Sequence, residues 1–81
     1  MLDILFTQTA FDQYNEWKII DKIIFKKIQK LIVETARIPF EGIGKPEPLK
    51  HDLKGYWSRR INDEHRLIYR ATNEFIKIIA T

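Results

Sequence analysis

The stretch PFEGIGKPEPLKHDLKG, residues 39–55, holds all three prolines and all three glycines of an 81-residue chain. Proline fixes φ and withholds a backbone donor, while glycine opens conformations closed to other residues, so this segment neither continues a helix nor fills a central strand. It reads as an ordered loop, and the chain has a different hydrophobic period on each side of it.

Upstream the period is helical. Asp21 can cap a helix on which Ile24, Ile28, Leu31, Ile32 and Thr35 share one side, while Lys22, Lys26, Lys30 and Glu34 fall elsewhere. Pro39 stops that helix near Ile38, because the residue before a proline is pushed out of the helical region. Earlier, Phe11, Tyr14 and Trp17 lie on one stripe, and Thr9 followed three residues later by Asp12 resembles an N-terminal cap, which predicts a first helix over about 9–18. A few residues join the two, so they form a hairpin. Ahead of it, Leu2, Ile4 and Phe6 alternate as in a short half-buried strand. Both stripes read as core; the outer lysines read as a solvated face that could also touch nucleic acid.

Downstream the period is two. Tyr56 to Ile61, His65 to Ala71 and Phe75 to Ala80 read as strands separated by the turn sequences Asn62-Asp63-Glu64 and Thr72-Asn73-Glu74, an antiparallel meander. The fold class is therefore α+β, in the order β-α-α-β-β-β, with a two-helix hairpin packed on a curved antiparallel sheet. Size allows one core and one domain, residues 1–81. A domain this small is marginal alone, so a protein partner or a second copy is expected.

Composition narrows the chemistry. With no cysteine, disulfides and thiolate metal sites are impossible, and two isolated histidines without clustered carboxylates make no metal site. No cofactor is expected. Asp3 stands where a secretory signal would be positive, and no apolar run approaches the roughly 20 residues of a membrane span, which predicts a cytoplasmic protein away from membranes.

Charge is unevenly placed. Residues 1–44 balance, and the surplus of +3 lies in residues 45–70, where Lys45, Lys50, Lys54, Arg59, Arg60, Arg66 and Arg70 face Glu47, Asp52, Asp63 and Glu64. Strand alternation places Trp57, Arg59 and Ile61 on one face and Tyr56, Ser58 and Arg60 on the other; in the next strand Arg66, Ile68 and Arg70 oppose His65, Leu67 and Tyr69. Guanidinium groups bind phosphate bidentately and stack on unpaired bases, so arginines beside aromatics suit single-stranded RNA. Cross-strand ion pairing, a solvated basic face and core packing of Trp57 and Tyr69 fit the same composition.

Residues 39–69, PFEGIGKPEPLKHDLKGYWSRRINDEHRLIY, closely resemble the YoeB (Txe) family, a branch of the RelE-like ribosome-dependent mRNA endonucleases, and the likeness covers nearly the whole chain in order. The resemblance implies a RelE-like fold, cleavage of mRNA in the ribosomal A site and a YefM-like antitoxin as partner. It implies roles too. Glu47, in Lys-Pro-Glu-Pro, matches the general base; Arg66, in Glu-His-Arg-Leu, the phosphate-stabilising arginine; and Arg60, in Trp-Ser-Arg-Arg, an assisting arginine. Lys45, Lys50 and Arg59 fall at RNA-positioning places.

The residue types suit the reaction. A ribose 2′-OH attacking its own phosphate needs a base on the hydroxyl and positive charge on the developing phosphorane. Prolines on both sides of Glu47 restrict the loop that carries it. The family also ends in a tail with an Arg and a His-Tyr pair that resembles the source of the leaving-group acid. This chain stops at Thr81, where the family has cysteine, so the expectation is a truncated, attenuated enzyme, with His51 and His65 poor replacements. Two other readings share the fold: a non-catalytic ribosome- or antitoxin-binding protein, and a ParE-like gyrase toxin, against which the Lys-Pro-Glu-Pro-Leu-Lys and Trp-Ser-Arg-Arg segments argue.

Overall fold

A computed structural model describes all residues, Met1–Thr81. The chain runs β1 (Asp3–Phe6), α1 (Gln8–Ile20), α2 (Lys22–Arg37), β2 (Glu47–Pro48), a 3₁₀ turn (His51–Leu53), β3 (Trp57–Arg60), β4 (Arg66–Ala71) and β5 (Phe75–Ala80).

Local chemistry sets the boundaries. Thr7, rather than the expected Thr9, caps α1, its hydroxyl accepting from the Ala10 N–H at 3.1 Å. Asp21 serves both helices: its N–H donates to the Trp17 carbonyl and closes α1, while its carboxylate accepts from the Ile23 and Ile24 N–H groups and opens α2. One residue thus makes the hairpin. At the far end the Ile38 N–H closes α2 on the Glu34 carbonyl, and Pro39 follows. Between β3 and β4 the Asn62 side chain accepts from the Glu64 and His65 N–H groups, and Thr72 does the same for Glu74 and Phe75 between β4 and β5.

The strand order is β1-β5-β4-β3-β2. β3, β4 and β5 form the expected meander, with a bulge where Ile68 and Tyr69 oppose Ala80 and Ile78. Two features depart from the expectation of an antiparallel sheet made from four strands. β1 lies parallel to β5, with Ile4 opposite Ile76 and Phe6 opposite Ile78, so the sheet is mixed. Within the expected loop, Glu47 and Pro48 pair with Ser58 and Trp57 as a fifth strand at the other edge. An edge is where a strand can carry proline, which has no N–H to give.

The helices cover one sheet face. Ile28, Leu31, Ile32 and Ala36 of α2 and Ala10 of α1 close on Ile61, Leu67, Tyr69, Ile76 and Ile78, all buried. The α1 stripe is shallower than its spacing suggests. Tyr14 and Trp17 only lean on this core, and Phe11 remains 47% exposed, edge-on to Phe6. The opposite sheet face is open.

Candidate active site

Antiparallel register decides which residues share the open face. Residues directly opposite one another in neighbouring strands project to the same side. Glu47 pairs with Ser58, Ser58 with Ile68, and Arg60 with Arg66. Ser58 and Arg60, alternate residues of one strand, share that side, so Glu47, Arg60 and Arg66 converge on it from three strands. All three are exposed. Arg70 and Lys77, opposite each other on β4 and β5, extend the basic surface.

The Arg66 guanidinium stands 3.8 Å from the Glu47 carboxylate, with about 40% and 61% of the two side chains exposed. At that separation it is a loose ion pair, worth little as a staple. Most Arg66 donors stay free for another oxyanion. Beneath them Ser58 is buried, and its hydroxyl has no hydrogen-bond partner.

Arg59, expected among the RNA-positioning residues, lies elsewhere: it is fully buried on the helix side of the sheet. Its guanidinium donates to the carbonyls of Ile38, Glu41 and Ile43, and its Nε–H reaches the Tyr69 hydroxyl. The Tyr69 hydroxyl in turn donates to the Pro39 carbonyl. Burial pushes the Tyr69 phenol up from its ordinary value of 10.0, with the nearby Arg59 pulling partly the other way. No carboxylate hydrogen-bonds the buried guanidinium; carbonyls of the 38–43 loop do. The physical reason for the correction is alternation itself, which set Arg59 with Trp57 and Ile61 on the core face.

That clamp shapes the segment leading to Glu47. Gly44, at φ +80°, passes so close to Leu31 that a Cβ there would stand 2.9 Å from its Cδ2, and its carbonyl accepts from the Arg60 N–H at 2.7 Å. Lys45 follows in the left-handed region and is exposed. Lys50 lies two residues beyond β2, exposed at the start of the 3₁₀ turn. His65 faces away from Arg66, its ring edge-on to Trp17 of α1 at 4.8 Å, as adjacent strand residues require. His51 sits in the 3₁₀ turn with positive φ. No cluster of three His, Cys, Asp or Glu side chains could hold a metal ion.

A hairpin of helices on one face of a mixed sheet is an architecture shared with known toxins. The fold matches the YoeB dimer from Staphylococcus aureus at a TM-score of 0.90 and 48% identity, over 98% of this chain and 92% of that one. It matches the heterotetrameric YoeB-YefM toxin-antitoxin complex of the same organism at 0.89 and 47%, over 99% and 93%. The protein is thus the toxin of a type II toxin-antitoxin system, with a RelE-like fold.

Its branch is equally plain. The family described as the YoeB-like toxin of bacterial type II toxin-antitoxin systems matches residues 6–81. Toxin YoeB of Escherichia coli K12 is 51% identical over 79 residues, 98% of this chain and 94% of that protein. The chain belongs to the YoeB toxin family. The expectation of a truncated, attenuated chain finds no support in these comparisons. No helix is long and apolar enough to cross a membrane.

Proposed function

We propose that this toxin is a ribosome-dependent endoribonuclease acting on mRNA in the A site. The observation that carries the reading is the meeting of Glu47, Arg60 and Arg66 on one exposed sheet face, with the Glu47 carboxylate 3.8 Å from the Arg66 guanidinium. Glu47 takes the proton from a ribose 2′-OH. The freed oxygen attacks the adjacent phosphorus, and the bond to the 5′-oxygen breaks, that oxygen receiving a proton from outside this trio. The products carry a 2′,3′-cyclic phosphate and a 5′-hydroxyl. Arg66 stabilises the charge that builds on the phosphorane, and Arg60, directly opposite it on the neighbouring strand, assists. Lys45 and Lys50 hold the flanking backbone.

Relatives of known assembly supply the partners of this reading: a YefM-like antitoxin, as in the Staphylococcus aureus complex, and a second copy, as in the dimer from that organism. The reaction belongs to the cytoplasm, where ribosomes are.

The test is single-turnover cleavage of mRNA on programmed ribosomes by this chain and by Glu47→Ala and Arg66→Ala. Losing a general base typically removes ~10²–10⁴ in rate, and losing one donor to developing charge ~10²–10³. Cleavage confined to the parent chain supports the reading. An inactive parent that still binds ribosomes overturns it in favour of a non-catalytic ribosome-binding toxin.

A further inference from the structure

A second basic feature lies beside the site and shares Lys45 and Arg60 with it. Where α2 meets the 43–45 loop, Lys26, Lys27, Lys30, Lys45 and Arg60 surround a groove of about 630 Å³ whose floor is formed by Leu31 and Ile43. No carboxylate lines it. The nearest acid further along α2, Glu34, is engaged with Arg37 at 3.8 Å. Behind the floor, the buried Arg59 guanidinium donates to the Ile43 carbonyl at 3.0 Å. The groove lining carries one sign of charge, and a concave surface lined by one sign concentrates a polyanion.

We propose that this groove is a docking surface for the backbone of the messenger strand itself, on one side of the phosphate being cut. The inference rests on the endonuclease reading and adds to it a place where flanking nucleotides go. Two observations select this occupant. Arg60 lines the groove and also stands opposite Arg66 across β3 and β4, so one residue belongs to both the groove and the cutting face. Its rim is almost entirely lysine, a flexible point charge that suits successive phosphates and imposes no directional fork, which is the character of contacts that hold a strand without reading it. The apolar floor accepts ribose edges. Lys26, Lys27 and Lys30 are all exposed on a helix that glutamine continues well, so their charge can be removed without disturbing the core.

The probe is a set of single-stranded oligoribonucleotides, of increasing length on each side of one cleavage step, made uncleavable by a 2′-deoxy substitution there. Binding to the whole toxin is followed by fluorescence anisotropy over a range of salt. In the parent chain, affinity rises as the strand lengthens on one side. In Lys26→Gln/Lys27→Gln/Lys30→Gln that increment vanishes, and the slope of log affinity against log salt is shallower by about 2, at roughly 0.7 per phosphate contact on single strands. On programmed ribosomes the same variant shows a raised KM and an unchanged kcat. An unchanged slope and length dependence overturns the proposal. So does weaker binding to vacant ribosomes with intact oligonucleotide binding, which would assign the groove to ribosomal RNA, or loss of antitoxin binding alone, which would assign it to an acidic protein segment. Lysine-dependent length dependence in a chain that never cleaves would overturn the endonuclease reading and leave the groove standing.

Discussion

Arg59 and Arg60 are consecutive residues of β3 with identical side chains, and strand geometry sends them to opposite sides of the sheet. Arg59 turns to the helix side, loses all contact with solvent, and gathers the carbonyls of Ile38, Glu41 and Ile43 around its fork. Arg60 turns to the open side, stays exposed, and stands opposite Arg66 in the neighbourhood of Glu47. The same chemistry builds the loop from within and the basic face from without. The pair teaches that an arginine's role is set by the face it occupies, because the guanidinium binds any ring of oxygens, backbone or phosphate, that the fold presents to it.

Replacing each by methionine should separate the two roles. Arg59→Met leaves three carbonyls without their donor and an emptied polar cavity. With hydrogen bonds to a charged group worth ~1.5–3 kcal/mol each, it should destabilise by at least about 3 kcal/mol, a large part of the ~5–15 kcal/mol that holds a domain together. Arg60→Met should change stability by no more than about 0.5 kcal/mol, the usual range for a surface change. Urea unfolding reads both values, and equal losses would erase the contrast.

Tyr69 sharpens it further. Its hydroxyl accepts from Arg59 and donates to Pro39, so Tyr69→Phe should cost about 1–2 kcal/mol. The parent should also respond to alkali. Since burial raises the phenol's pKa above 10.0, the folded state favours the neutral form; that contribution is complete below pH 10 and fades as pH rises through the folded value. Thermal unfolding from pH 8 to 11 should show a steeper alkaline loss in the parent than in Tyr69→Phe, and identical profiles would remove Tyr69 from the clamp.

The smallest effect belongs to Ser58, whose buried hydroxyl bonds to nothing. Ser58→Ala removes a desolvated group and breaks no bond, so the melting temperature should hold or rise slightly, by up to about 1 kcal/mol in stability. A clear drop would mean that the hydroxyl has a partner in solution.

Much of this fold was legible in the residues. The helices announced themselves by period and by Asp21 and Pro39; the meander by alternation and by Asn62 and Thr72. The rest was hidden for physical reasons. Alternation records which face a residue occupies but not which way its strand runs, so the parallel pairing of β1 with β5 left no mark in Leu2, Ile4 and Phe6. A two-residue edge strand is too short to show a period, and the prolines around Glu47 look like loop whether or not they pair with β3. Arg59 was the opposite case. Its place beside Trp57 and Ile61 on one strand face already marked it as inward, and the family resemblance, which reads motifs and not faces, set it among residues that meet RNA. Lys26, Lys27 and Lys30 carried only the mark of a helix surface; it takes the 43–45 loop, folded back against α2, to turn them into one side of a groove.

The most direct test of the account measures two quantities on the same samples: single-turnover cleavage on programmed ribosomes and thermal unfolding, for the parent, Glu47→Gln, Arg60→Gln and Arg66→Gln. The open-face account predicts cleavage lower by ~10² or more for Glu47→Gln and Arg66→Gln, with a smaller loss for Arg60→Gln, while all three melt within a few degrees of the parent. Cleavage that survives in Glu47→Gln, or that falls only in step with unfolding, would contradict it.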